Sequence, residues 1–154
     1  MANHLDLPRV EADEIIALGK TAPVANWTAL SSGRIESWIM ATGVIVGDGF
    51  FKRALTIELI CKRSQKPFRD MFMFCLFRTE HGTPRRAYQL DTTNVPVCDH
   101  PGHDWPHEHI GADRIVFPEK SFPSTFEESL EHFCQAVNIQ FDEPVESPFE
   151  FRLR

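Results

Sequence analysis

Between Arg34 and Thr92 apolar and polar residues alternate with a period of two, and clusters of turn-forming residues interrupt them. The run "RIESWIMATGVIV" is β-branched and aromatic, and "GDG" at 47–49 is a hairpin signal. In "FFKRALTIELICKR" the apolar Leu55, Ile57 and Leu59 alternate with Thr56 and Glu58. After the turn "SQKPF", the stretch from Met71 to Phe77 is apolar on both faces, which predicts a central strand covered on both sides. "EHGTP" turns again, and "RRAYQLDTT" sets Arg86, Tyr88 and Leu90 against Arg85, Ala87, Gln89 and Asp91. The pattern predicts an antiparallel sheet of at least four strands.

Helical periodicity brackets these strands. "LPRVEADEIIALGK" reads as an N-terminal helix with Pro8 in its first turn, acids near its start, an apolar side of Val10, Ile15 and Leu18, and Gly19 as its stop. "FPSTFEESLEHFCQAVNI" reads as a second helix, with Ser124 and Glu127 as a capping box and Phe126, Leu130, Phe133 and Val137 on one face. Between sheet and second helix, "HEHI" and "DRIVFP" read as short extended pieces, and the tail "DEPVESPFEFRLR" as ending in an edge strand. Strands followed by a long helix give an α+β class, with the N-terminal and C-terminal helices packed on one face of the sheet. At 154 residues the chain is expected to form one domain, 1–154.

Charge and cysteine content narrow the setting. The net charge is −6, which argues against general nucleic-acid binding, yet residues 52–86 hold nine basic residues against three acids. Such a segment can meet phosphates, although strand ends and turns also collect solvated Lys and Arg. Cys61, Cys75 and Cys134 sit in apolar runs and Cys98 stands apart, without paired spacing. The polar, acidic start and the absence of a long apolar run predict a cytoplasmic protein without a membrane partner.

The candidate chemistry lies in "CDHPGHDWPHEHIGADR", residues 98–114, which holds four of the seven histidines. Three readings compete. As a metal site, Cys98, His100, His103, His107 and His109 offer zinc ligands, with His107 and His109 on one side of a strand, but the spacing fits no standard zinc template. As an acid–base site needing no cofactor, His107 and His109 divide the roles of base and acid in cleaving RNA. Arg86, Arg114 or Arg85 then supplies a cation for the phosphorane, and Tyr88 an extra donor. In the third reading the histidines are a solvated loop, Asp91 caps a turn and Trp105 pins the loop. His4, His81 and His132 read as surface residues.

The arrangement Tyr88-Gln-Leu-Asp91, then His100, then Pro106-His-Glu-His109-Ile-Gly111 resembles bacterial toxins of the TumE type, and is similar to phage and mobile-element proteins with a PH-x-H box. The resemblance spans roughly residues 70–140. It implies a toxin-like α+β ribonuclease acting on RNA and neutralised by a DNA-binding antitoxin partner. His107 and His109 carry over as site residues, with Tyr88 and Asp91 nearby. Cys98, His103 and the overall acidity depart from that pattern. They keep open a zinc-stabilised binding module and an acidic, phage-type inhibitor that mimics nucleic acid.

Overall fold

A computed structural model gives the structure of the protein and describes residues 5–30, 33–47, 54–96, 105–119 and 121–151. Helix α1 (Arg9–Ala17) is followed by short strands β1 (Lys20–Ala22) and β2 (Thr28–Leu30). Then come β3 (Glu36–Gly43), β4 (Ile45–Val46), β5 (Leu55–Gln65), β6 (Phe68–Glu80) and β7 (Thr83–Thr93). The chain continues through β8 (His107–Ile110), β9 (Asp113–Val116), α2 (Phe126–Ala136), β10 (Ile139–Phe141) and the single turn α3 (Pro148–Phe151). The class is α+β. Seven strands form one antiparallel meander in the order β2-β3-β5-β6-β7-β8-β9, and β10-β1-β4 form a smaller sheet.

The expected alternation holds along β5, where Leu55, Ile57, Leu59 and Cys61 are buried. They share one face with Phe72, Phe74 and Leu76 of β6 and with Tyr88 and Leu90 of β7. Helix α2 covers that face. The ring of Phe133 packs edge-on to Phe74 at 6.0 Å and beside Tyr88 at 5.8 Å. Helix α1 joins the same core through Ala12 and Ile15, whereas Val10 and Leu18 are exposed, contrary to the sequence expectation. The cap of α2 sits one residue later than expected: Thr125 accepts from the Glu128 backbone, and the Glu128 side chain returns to Thr125.

Three further differences separate the structure from the expected pattern. The strand expected at 34–46 divides after Gly43, and β4 leaves the large sheet to pair with β1. The tail forms the turn α3 instead of an edge strand. The face of β6 opposite α2 is open, so Met71, Met73 and Phe77 are half-buried rather than covered.

Lys20 is a lysine only 4% exposed. Its ammonium donates to the carbonyls of Ile16 at 3.1 Å and Leu18 at 2.6 Å, beside the end of α1, and to Val137 at 2.6 Å, the C-cap of α2. Neither helix has a basic residue in its last turn, so one amine satisfies carbonyls at both C-termini. Burial lowers its pKa to about 8, which leaves it protonated at neutral pH.

The β8–β9 hairpin turns on Gly111, with φ of 56°. A Cβ there would stand 2.5 Å from the Leu7 carbonyl oxygen. Gly111→Ala adds that clash to a left-handed backbone and is expected to cost at least about 1–3 kcal/mol. An unshifted urea midpoint would show that Leu7 does not press against the turn.

Candidate functional site

The site is built from β7 and β8. Their register sets Asp91 opposite His107 and Gln89 opposite His109. With a period of two, all four side chains rise from the open face of the sheet. His107 Nε2 lies 3.1 Å from Asp91 Oδ2, and His109 Nε2 lies 3.9 Å from the same oxygen. The two imidazole rings meet edge to face at 4.9 Å between centroids. All three side chains are largely shielded, with His107 and His109 only 15% and 16% exposed.

Trp105 sets the orientation of His107. Its buried indole donates to the Phe117 carbonyl at 3.0 Å, and its own carbonyl stands 2.8 Å from His107 Nδ1. A carbonyl only accepts, so Nδ1 carries the hydrogen and Nε2 turns to the carboxylate. Two acceptors at 3.1 Å repel unless a proton or a cation lies between them. Arg114 Nη2 is 3.5 Å from His107 Nδ1, at the rim of the site.

A second chain of contacts holds Asp91 from the other side. Asp6 pairs with Arg86 at 2.8 Å, Arg86 Nη1 donates to Gln89 Oε1 at 3.0 Å, and Gln89 Nε2 donates to Asp91 Oδ2 at 2.6 Å. The pairing of β6 with β7 shifts at Leu76/Phe77, so that Arg86 pairs with Phe77 and joins Gln89 on the open face. The sequence alternation placed Arg86 with Tyr88, and the bulge reverses it. Arg86 is therefore bound to Asp6 and Gln89 and orients the site through them. Gln89 and Asp6 were missed, since a glutamine side chain has no titratable group and Asp6 lies 80 residues from the Arg86 it meets.

Electrostatics separate the two imidazoles. Burial, then the charges of Arg86 and His107, lower the pKa of His109 to about 4 against the pull of Asp91 and Asp6, so His109 is neutral at pH 7. For Asp91 burial works upward, but hydrogen bonds from His107 and Gln89 and the imidazole charges outweigh it, and its pKa is lowered. Asp91 is the carboxylate that faces His107 Nε2, and the neutral His109 stands beside it.

Tyr88 falls elsewhere. It points to the covered face, where its hydroxyl donates to Glu108. Burial, with the Glu108 contact, pushes that phenol far above its ordinary range. A phenol so placed does not reach the histidines, which corrects the expectation of an extra donor. His132 Nε2 stands 2.9 Å from Glu108, so α2 is fastened to β8, and His132 is a half-buried anchor rather than a surface residue. His81 is exposed in the β6–β7 turn, as expected. Cys98, His100, His103 and His4 lie outside the described residues, as does "DG" of the 47–49 hairpin signal. Among the described residues the group able to hold a metal is Asp91, His107 and His109, whose ligand atoms lie within 4.8 Å of one another.

Beside the pair runs a groove of about 450 Å³, floored by Ile60, Met71 and Met73 and bordered by Lys62 and Arg69. No helix among the described residues is long and apolar enough to cross a membrane. Compared with protein-family models, curated proteins and solved structures, the chain matches none.

Proposed function

We propose that the protein is a toxin-type ribonuclease that cleaves RNA by metal-independent acid–base catalysis at His107 and His109. One observation carries the reading: two imidazoles stand together on one sheet face beside a carboxylate, and burial keeps His109 neutral, as a base must be. His109 Nε2 takes the proton of a ribose 2′-hydroxyl, whose oxygen attacks the adjacent phosphorus. The bond from phosphorus to the 5′-oxygen breaks, and that oxygen takes the Nε2 proton of His107. The products are a 2′,3′-cyclic phosphate and a 5′-hydroxyl, and water returns the proton balance of the two rings. Asp91 orients the Nε2 edge of His107, and Arg114 at the rim faces the charge gathering on phosphorus. The resemblance to TumE-type toxins supports the same chemistry, and a small DNA-binding antitoxin is the partner it implies.

The orientation of His107 also favours a second reading, a zinc-binding site on Asp91, His107 and His109. An Nδ1–H held by a carbonyl is how ligand histidines are commonly aimed. Ligands about 2.1 Å from a tetrahedral zinc lie about 3.4 Å apart, so His109, at 3.9 Å from Asp91, must move inward. Protein prepared without a metal-affinity column separates the two. The ribonuclease reading expects cyclic-phosphate ends from single-stranded RNA, at a rate that EDTA leaves unchanged. Loss of both melting temperature and activity in EDTA, restored by zinc, would replace it with the metal site.

A further inference from the structure

We infer that the groove beside His107 is a subsite for one nucleotide unit of single-stranded RNA, its base lying on Ile60, Met71 and Met73 and its phosphate held by Lys62 and Arg69. The inference rests on the ribonuclease reading and specifies how its substrate is held.

The sheet register lays out the site in one row. Ile60 pairs with Met73, Met73 with Asp91, and Asp91 with His107. Strands about 4.8 Å apart put roughly 14 Å between the backbones of Ile60 and His107. The polar end of the row holds the proposed reacting phosphate, and the apolar end is left for what is attached to it. Two thioethers and a branched aliphatic chain form a flat, polarisable floor of the kind that accepts a planar π-system. The groove volume of about 450 Å³ falls in the range of small-ligand sites.

Charge identifies the occupant. Lys62 and Met71 are paired in the next row, and Lys62 is exposed. Arg69, on the same face, is steadied by its Nε hydrogen bond to Thr93 Oγ1 at 3.2 Å. Both cations border the apolar floor on the side away from Arg114. A purely aliphatic ligand has no use for that pair, whereas a base followed by a phosphate matches floor and border in order.

The floor also fixes selectivity. Thr93 is 2% exposed, and its hydroxyl already serves the Asp70 carbonyl and Arg69. With a floor of apolar side chains, base stacking dominates over edge reading, and the four bases are expected to bind alike.

The test uses methionine-methyl NMR on the full chain. Its four methionines are Met1, Met40, Met71 and Met73, and Met40 is fully buried on the covered face. The probe is a 2′-deoxy dinucleotide with a phosphate at each end, so that one remains for Lys62 and Arg69; it lacks the attacking hydroxyl and cannot be cut. We expect saturable shifts of the Met71 and Met73 methyls, a still Met40, and no methyl shift with inorganic phosphate alone. Lys62→Ala combined with Arg69→Ala should weaken binding about tenfold or more. An undisturbed Met40 signal in that variant shows that it is folded. Met71 and Met73 methyls that stay fixed at millimolar probe would overturn the subsite. So would shifts that follow protein concentration without probe, which would assign the floor to a second copy of the chain. Dinucleotide binding with no RNA cleavage would keep the subsite and remove the catalytic reading, whereas cleavage with still methyls would do the reverse.

Discussion

Replacing His107 or His109 by alanine is expected to lower RNA cleavage by about 10²–10⁴-fold, the usual worth of a positioned acid or base. Neither ring lies in the core under α2, so the melting temperature should stay within a few degrees. The two changes should not add, because the two proton transfers serve one displacement at phosphorus. Asp91→Asn should cost less than either, since the amide keeps the packing and loses only the carboxylate charge beside His107 Nε2. The pH dependence distinguishes the rings. Two unperturbed histidines would give limbs on either side of neutrality, but burial has moved His109 to about 4. Cleavage should therefore persist well below pH 6 and fall only as His109 takes up a proton near pH 4. Activity that survives both alanine changes, or an acid limb left near 6.5, would sink this assignment.

The second large effect is on stability. Phe133 is fully buried and joins α2 to both β6 and β7. Phe133→Ala removes a whole ring from between Phe74 and Tyr88, and is expected to cost about 3–5 kcal/mol in denaturant melts. A loss under about 1 kcal/mol would mean that α2 is not part of the core. The same variant loosens Tyr88, whose hydroxyl holds Glu108 on the strand between the two histidines. In protein that remains folded, activity should thus fall with stability, although Phe133 is on the far side of the sheet from the histidines.

Much of this arrangement was legible from residue order. The alternation in β5, the apolar face of α2 and the H-x-H spacing are local patterns, and a period of two or 3.6 is visible without tertiary information. The remainder depended on long-range contacts. Nothing in "RRAYQLD" announces that the strand bulges at Ala87, yet that irregularity takes Arg86 from the Tyr88 side to the Asp91 side. Tyr88 looked chemical because tyrosine often is, but its register opposite Ile110 puts it under α2. The burial of Lys20 has no sequence signal, because its three carbonyl partners come from two helix ends more than a hundred residues apart. Met71 and Met73 read as core since hydropathy does not record which face a helix covers. Gln89 carries no signature of its own and becomes informative only once Asp91 and Arg86 are seen on either side of it.

The three residues of β8 that alternate from His107 to His109 divide between two trades, and the division is one of parity. Odd positions face the open side of the sheet, while Glu108 faces Tyr88 and His132. Gaining or losing one residue inside this strand would exchange the trades, pressing imidazoles under α2 and lifting a carboxylate into the groove. A change of two residues would restore the order. Chemistry here is thus inherited in steps of two. Among descendants of this chain, odd-length insertions within β8 should be far rarer than even-length ones.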